Sequence, residues 1–185
     1  MSSYMMEINF TPFPVLLTER LILRQITQED VTEIFFLRSD KKILQFLGKD
    51  AATSAEETSL FINKINELEN NNDAVTWGIA YKNEEKLIGT ICYWNITKEH
   101  YRAEMGYVLH PDHQGKGIML EAISKVIKYG FENMKLHSVE AKVDPNNTSS
   151  IKLLERNNFI REGLFKEDYF YNGKFFDTAV YSLLL

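Results

Sequence analysis

The sequence has little of several features that mark specialised classes of protein. It contains a single cysteine, Cys92, so an internal disulfide framework is excluded, which fits a reducing compartment. No run approaches the ~20 apolar residues of a membrane span, and Met1 to Phe10 has neither a basic segment nor a continuous apolar stretch. We therefore expect a cytoplasmic protein that makes no membrane contact.

Positive charge is also scarce. The 21 lysines and arginines are outnumbered by 26 aspartates and glutamates, and no long basic stripe occurs. Because duplex binders carry such a stripe, we expect no nucleic-acid partner. His110 and His113 form an H-x-x-H pair, but they lie in a predicted loop without a third ligand, so we also predict no metal site.

What the sequence does contain suits one globular domain. Its 185 residues are 44% hydrophobic and 25% charged, which is ordinary for a folded domain of this length. No repeat, low-complexity tract or Pro/Gly/Ser-rich linker marks an internal boundary. We predict a single domain over residues 1–185, in which residues 1–16 form an N-terminal arm.

The spacing of apolar residues predicts strands and helices in a mixed order. Strands are expected at residues 20–26, 74–81, 86–94, 103–109, 138–143, 160–171 and 174–184. Helices are expected after Thr27, after Ser54, from Gly117 onwards and over residues 147–157, while Asn172 and Gly173 indicate a hairpin. An antiparallel meander among helices predicts a mixed sheet of the α/β (α+β) class.

One segment between a strand and the longest predicted helix is suited to binding an anion. It consists of Gln114, Gly115, Lys116, Gly117, Ile118 and Met119. Glycines allow close backbone approach, and the free amides at a helix N-terminus favour phosphate. A dinucleotide fingerprint fails because its third glycine position holds Leu120, and the P-loop pattern is absent. A plain strand-to-helix turn remains the alternative.

The same segment resembles the pyrophosphate loop of the GNAT superfamily of acetyltransferases, Q/R-x-x-G-x-G/A. Gln114 and Gly117 match this pattern, whereas Met119 puts a bulky side chain at the last position. The backbone amide of Met119 is retained, so the resemblance still implies anion binding through residues 114–119.

Further motifs narrow the resemblance to the RimJ/RimL-like branch, which comprises ribosomal-protein N-terminal acetyltransferases. Leu17 to Arg24 is similar to its opening L-x-T-E-R-L-x-L-R, and Glu104 to Tyr107 is similar to its E-I-G-Y. Asn147 to Ser150 and Asn158-Phe159 are similar to its N-x-x-S and G-F. The resemblance covers about residues 17–184.

The resemblance implies an enzyme that moves an acetyl group from acetyl-coenzyme A to a primary amine, with the N-terminal α-amine of a (ribosomal) protein as one acceptor. Two alternatives remain: a small amine, such as a polyamine or aminoglycoside, or a non-catalytic sensor of coenzyme A. The acceptor half of the site is expected at residues 48–53 and in the C-terminal hairpin. A homodimer is left open.

The resemblance also implies where the cosubstrate binds. The parallel strands at 103–109 and 138–143 would separate into a V-shaped slot for the pantetheine arm. Main-chain groups of Val108 and Leu109 would bond the arm, and Asn147 would contact it from the other wall.

Two residues of this region are candidates for the chemistry. Only a neutral amine is nucleophilic, so a base should take its proton, and Glu104 is our choice. The alternative is a surface residue paired with Arg102 or a lysine. Many GNAT enzymes protonate the thiolate with a helix tyrosine, but Leu154 stands at that position here. Ser150 is a candidate donor, cap or cofactor contact, so the acid is unassigned.

Overall fold

The protein is built around one mixed sheet flanked by helices. A computed structural model describes Met6 and residues 8–185; the other arm residues, 1–5 and 7, lie outside the described residues. The strands are β1 (Leu16–Leu17), β2 (Leu21–Gln25), β3 (Val75–Tyr81), β4 (Gly89–Thr97), β5 (Arg102–Leu109), β6 (Ser138–Val143), β7 (Ile160–Tyr171) and β8 (Lys174–Leu184). The helices are α1 (Val31–Ser39), α2 (Lys41–Leu44), α3 (Ala55–Asn70), α4 (Ile118–Glu132) and α5 (Thr148–Arg156).

The sheet confirms the expected mixed pairing. Its strand order is β1-β2-β3-β4-β5-β6-β8-β7. From β1 to β5, each strand pairs antiparallel with the next, and β8 pairs antiparallel with both β6 and β7. Only β5 and β6 pair in parallel among the described residues, so the single parallel junction lies near the middle of the sheet.

Helices cover both faces of the sheet. Apolar side chains of α4 and α5, including Ala122, Ile123 and Leu154, belong to the larger core. We call the side of the sheet that carries this core the α4 face. On the opposite α1 face, α1 and α3 contribute Ile34 and Ile62 to a smaller core. Successive side chains of a strand point to opposite faces of the sheet, so the side chains of β5 lie alternately on the α4 face and the α1 face.

The N-terminal arm is more closely integrated than its sequence indicated. Met6 and Phe10 are buried in the core of the α4 face, and Trp77 Nε1 donates a 2.7 Å hydrogen bond to the Pro14 carbonyl. Strand β1 and the four-residue helix α2 were not predicted, because two to four residues are too few to show a period. In the described chain, no helix has the length and apolar character needed to cross a bilayer.

Candidate active site

A gap opens between the two parallel strands. Pairing of β5 with β6 joins Arg102 to Ser138, Ala103 to Val139 and Glu104 to Glu140, and it ends there. Strand β5 nevertheless continues to Leu109 and β6 to Val143. The expected V-shaped slot is thus confirmed, with its closed end at the Glu104–Glu140 pair.

Two hydrogen bonds fix which main-chain groups of β5 face this gap. The Tyr101 carbonyl accepts a 2.7 Å bond from His137 N, on the β6 side. At the other end, His110 N donates a 2.8 Å bond to the Ile88 carbonyl, on the β4 side. Strand main-chain groups alternate in direction, so residues 103, 105, 107 and 109 face β6. The Met105 amide belongs to the last pair, Glu104–Glu140, so the groups that point into the gap are the Met105 carbonyl and the main-chain groups of Tyr107 and Leu109.

This alternation corrects one expected contact. Val108 lies opposite Thr90 in the antiparallel register, two residues from the bonded pair His110–Ile88, so its main chain faces β4 and not the gap. The Met105 carbonyl and the main-chain groups of Tyr107 point into the gap instead, and neither residue was among the expected contacts. These gap-facing residues can be identified from the alternating direction of main-chain groups along β5.

The end of the slot is held by Gln114. Its side-chain Nε2 donates a 3.2 Å hydrogen bond to the Leu109 carbonyl, which faces the gap. Gln114 therefore ties the loop to the end of β5. Contacts of Leu109 and Gln114 with the cosubstrate remain predictions.

Residues 114–119 span the loop before α4 and the start of that helix; we call them the anion loop, and their glycines adopt a conformation that other residues rarely tolerate. Gly115 has φ +73° and Gly117 has φ +74°, and α4 begins directly afterwards. Among the described residues, no side chain caps the first turn of α4. The side chains of Ile118 and Met119 are buried in the core, so their amides are presented while the bulk of Met119 points inward. These features suit an anion.

The cation beside the loop that sequence reasoning missed is Arg20. Its Nε pairs with Glu121 Oε2 at 2.7 Å, and its Nη1 donates a 3.0 Å hydrogen bond to the Lys116 carbonyl. Lys116 Nζ in turn donates to the Asp112 carbonyl at 2.8 Å, so its charge is held within the loop. Arg20 lay in the first matched motif, but its contacts span about a hundred residues of sequence.

Glu104 lies at the closed end of the slot on the α1 face. It is only 7% exposed, and its Oε2 accepts hydrogen bonds from Asn95 Nδ2 and Lys142 Nζ, each at 3.1 Å. Arg102 pairs instead with Glu140 at 2.5 Å. The description of Glu104 as a surface residue is therefore wrong, although its pairing with a lysine is real.

A small pocket surrounds this carboxylate. Its volume is about 140 Å³, and its charged lining consists of Arg102, Glu104, Glu140 and Lys142. Burial would raise the pKa of Glu140, but hydrogen bonds from Arg102 and Lys142 outweigh it and hold the pKa below its usual value. Burial would lower the pKa of Lys142, but its bonds to the two glutamates hold that pKa above its usual value. The lining of the pocket therefore places two basic side chains beside two carboxyl groups.

The other wall of the slot is formed by β6 and the start of α5. Asn147 is the N-cap of α5, and its Oδ1 accepts a 3.1 Å hydrogen bond from Ser150 N. The cap of α5 is thus Asn147 and not Ser150, whose Oγ lies 2.7 Å from Tyr107 Oη. Leu154 is fully buried in the core.

The two segments expected to shape the acceptor half meet in the structure. The Tyr169 hydroxyl donates a hydrogen bond to the Gly48 carbonyl, and Tyr171 Oη donates one to Asp50 Oδ1 at 3.1 Å. The C-terminal hairpin is thereby tied to the loop between α2 and α3. A role for this contact in acceptor binding remains a prediction.

The two histidines next to the loop have structural contacts. His110 stacks on Phe36 with a centroid separation of 4.4 Å, and His113 Nδ1 lies 3.3 Å from Tyr81 Oη. In the part of the chain that the structure describes, no three His, Cys, Asp or Glu side chains are grouped as a metal site would require.

Comparisons with known proteins agree with this geometry. Residues 20–160 match the family model described as an acetyltransferase (GNAT) domain. The chain is 37% identical to the uncharacterized N-acetyltransferase YoaA of Bacillus subtilis over 172 residues, which cover 93% of this chain and 97% of that protein.

Two solved structures have the same fold over most of their length. A ribosomal-protein-S5-alanine acetyltransferase from Vibrio fischeri superposes with a TM-score of 0.81 at 29% identity, covering 92% of this chain and 96% of that one. Spermidine N-acetyltransferase from Vibrio cholerae, in complex with CoA and spermine, gives 0.79 at 26% identity, covering 89% and 95%. The slot, the anion loop and the family match lead to one conclusion: the chain belongs to the GNAT superfamily and is an acetyl-coenzyme A-dependent N-acetyltransferase.

Proposed function

We propose that the acceptor is the N-terminal α-amine of a protein or peptide, and that Glu104 accepts its proton directly or through one water. The observation that carries the proposal is the balance of charge around Glu104. Two cations, Arg102 and Lys142, stand beside two carboxylates, Glu104 and Glu140. A site for a polycation would be expected to carry an excess of negative charge, which these four residues do not supply.

The size of the pocket also favours the end of a chain. Its volume of about 140 Å³ lies below the roughly 300–1,000 Å³ of sites that enclose a drug-sized ligand. A terminal amine with its first side chain needs less space than a whole aminoglycoside, and the rest of a peptide can extend outside.

The contact of Lys142 with Glu104 supports the role of the carboxylate. An amine nitrogen is already accommodated at hydrogen-bond distance, 3.1 Å, from Glu104 Oε2. A general base must be within this distance of the proton that it takes. The incoming amine would share or replace the position of the lysine ammonium.

The slot and the loop would hold the cosubstrate on separate groups. The gap-facing main chain of β5 can pair with the amides of the pantetheine arm as another strand would. The first-turn amides of α4 can bind the pyrophosphate. We retain Leu109, residues 114–119 and Asn147 as the proposed contacts, and we add Met105 and Tyr107.

A small amine is the second candidate acceptor. The observation in its favour is the similarity to the spermidine acetyltransferase from Vibrio cholerae. Both acceptors would use the same nucleophilic attack on the thioester, so only the substrate distinguishes them.

A screen of thiol release from acetyl-coenzyme A tests the proposal. The acceptors are peptides beginning with alanine, serine or methionine, spermidine, and kanamycin as the aminoglycoside. The same peptides with a blocked N-terminus and one internal lysine separate α-amines from ε-amines. We expect turnover with free N-termini, a mass increase of one acetyl group, and none with the blocked peptides. Turnover with spermidine or kanamycin alone would reject the peptide acceptor.

A further inference from the structure

A pair of hydroxyl groups joins the two walls of the slot on the face opposite to Glu104. Tyr107 lies three residues beyond Glu104 on β5, and it packs with the core of the α4 face. Ser150 lies in the first turn of α5, directly after β6. Their oxygens are 2.7 Å apart, so this hydrogen bond connects the β5 wall to the helix that follows the β6 wall.

The direction of this hydrogen bond follows from the surroundings of Tyr107. Burial raises the pKa of Tyr107 to about 12, although the hydrogen bond with Ser150 opposes the increase, so the phenol keeps its proton at neutral pH. A buried hydroxyl proton needs an acceptor. In the described part of the chain, Ser150 Oγ is the one hydrogen-bond partner of Tyr107 Oη. A phenol is the stronger acid of the two hydroxyls, so we assign Tyr107 as the donor and Ser150 as the acceptor.

This direction leaves the proton of Ser150 available. A serine hydroxyl has one proton and two lone pairs, and Tyr107 occupies one of the lone pairs. The Ser150 amide is held by Asn147 Oδ1 at 3.1 Å, which fixes the first turn of α5 beside the slot. The Ser150 hydroxyl can thus donate to a group that arrives in the slot.

The group that needs such a donor is the leaving sulfur. When the amine nitrogen attacks the thioester carbon, the N–C bond forms, the C–S bond breaks and the electron pair stays on sulfur. The amine loses its proton to the base, and the coenzyme A thiolate takes one from solvent after release. Until then its negative charge is stabilised by whatever hydrogen-bond donor faces it.

We propose that Tyr107 is a positioning residue, which turns the Ser150 hydroxyl toward the slot so that Ser150 donates a hydrogen bond to the thiolate leaving acetyl-coenzyme A. The amine is then deprotonated on the Glu104 side of the sheet, and the thiolate is stabilised on the Tyr107 side. The proposal rests on acetyl transfer itself and not on the identity of the acceptor.

Binding of coenzyme A, without any acceptor, gives the first test. Calorimetry between pH 7 and 10 compares coenzyme A with S-methyl-coenzyme A, whose sulfur cannot ionise. Above the usual thiol pKa of ~8.5, we expect the parent protein to prefer coenzyme A by about 10-fold, as a hydrogen bond to a charged group would give. Tyr107→Phe and Ser150→Ala should lose this preference. An equal preference in the parent and both variants, or none in the parent, would overturn the proposal.

Kinetics give the second test, with the acceptor that reacts fastest in the screen. Tyr107→Phe should lower kcat about 10-fold while the KM for acetyl-coenzyme A stays within about twofold. In a Ser150→Ala background, the same change should have no further effect, because Tyr107 acts through Ser150. Additive losses in the double variant, or an increase in KM alone, would show that the contact is only structural.

Tyr93→Phe is the matched control. Tyr93 is another buried tyrosine whose hydroxyl donates one hydrogen bond, at 3.1 Å to the Val126 carbonyl, but it lies in the core away from the slot. The Tyr93→Phe variant should lower the melting temperature as much as Tyr107→Phe does, or more. It should leave kcat and the preference for coenzyme A over S-methyl-coenzyme A unchanged. Equal kinetic effects of the two variants would count against the proposal.

Discussion

At the scale of single residues, Glu104 is held tightly in place. It is almost completely buried, and Lys142 and Asn95 each donate a hydrogen bond to its Oε2. Lys142 also bonds Glu140 at 3.2 Å, so it has another carboxylate partner if an acceptor amine approaches Glu104. Glu104 can therefore exchange one nitrogen partner for another without leaving Lys142 unpaired.

Replacing Glu104 by glutamine tests the role of its charge. Glu104→Gln keeps the shape of the side chain and removes its basicity. We expect normal binding of acetyl-coenzyme A and a loss of roughly 10²–10⁴ in turnover at neutral pH. Turnover should recover at high pH, where the acceptor amine loses its proton without a base. The measurement is kcat as a function of pH.

Glu69→Gln is the control for removing a buried carboxylate. Glu69 is 2% exposed and accepts hydrogen bonds from Gln25 Nε2 and Thr76 N, but it lies outside the slot. Its variant should keep the turnover of the parent. If Glu104→Gln did the same, another carboxylate or water would have to be the base.

At the scale of elements, we expect anion binding by residues 114–119 to depend on the backbone more than on side-chain charge. Gly117 needs glycine for its φ of +74° and not for space, because an added Cβ would meet only Arg20 Nη2, at an ordinary 3.5 Å. The loop is also held from outside by Arg20, through the Lys116 carbonyl and Glu121. The position of the amides at the start of α4 is thus fixed by Arg20, directly before β2, as well as by the loop sequence.

Gly117→Val tests this dependence. A β-branched residue at positive φ strains the backbone by about 1–3 kcal/mol and displaces the amides at the start of α4. We expect at least 10-fold weaker binding of acetyl-coenzyme A by calorimetry. Lys116→Ala should weaken binding only modestly, because Lys116 Nζ is bonded to the Asp112 carbonyl.

Gly173→Val provides the same strain at another place. Gly173 has φ +80° in the turn between β7 and β8, with open space around an added Cβ. This variant should lose stability and bind acetyl-coenzyme A as the parent does. Equal affinities of the parent and the Gly117 variant would contradict the role of the loop.

At the scale of the whole molecule, the N-terminal arm contributes to the main core. Phe10 is 2% exposed, and its amide donates a 2.7 Å hydrogen bond to Asn72 Oδ1. Phe10→Ala should therefore lower the free energy of unfolding by about 3 kcal/mol or more, measured by urea titration. Phe175→Ala, at a side chain that is 61% exposed, should change it little. Similar small effects would mean that the arm contributes little to stability.

Much of the fold could be predicted from the sequence because its signals are local. Strands β6, β7 and β8 have the predicted bounds, since alternating side chains and the turn at Asn172-Gly173 define them. The arm was not predicted to be buried, because Met6 and Phe10 lie in a segment without a period. Their burial depends on contacts with distant strands.

The residues of the candidate site also fall into those that a local motif indicates and those that depend on distant contacts. The loop at 114–119 and Glu104 were selected as candidates because a motif carries them. The hydrogen bond of Tyr107 with Ser150 joins residues 43 apart, and that of Arg20 with the Lys116 carbonyl joins residues 96 apart, so no local pattern indicates either. The expected main-chain contact of Val108 was wrong because it depends on which neighbouring strand each residue faces.

The central claim is that the pantetheine arm of acetyl-coenzyme A binds along β5 in the gap beside β6. Residue-resolved hydrogen exchange of the backbone amides, with and without acetyl-coenzyme A, tests it most directly. Because alternate amides of β5 face the gap, we predict that those of Tyr107 or Leu109 become protected together with those of Ile118 and Met119. The amides of Gly106 and Val108, which face β4, should change little. Protection without this alternation, or none along β5, would contradict the account.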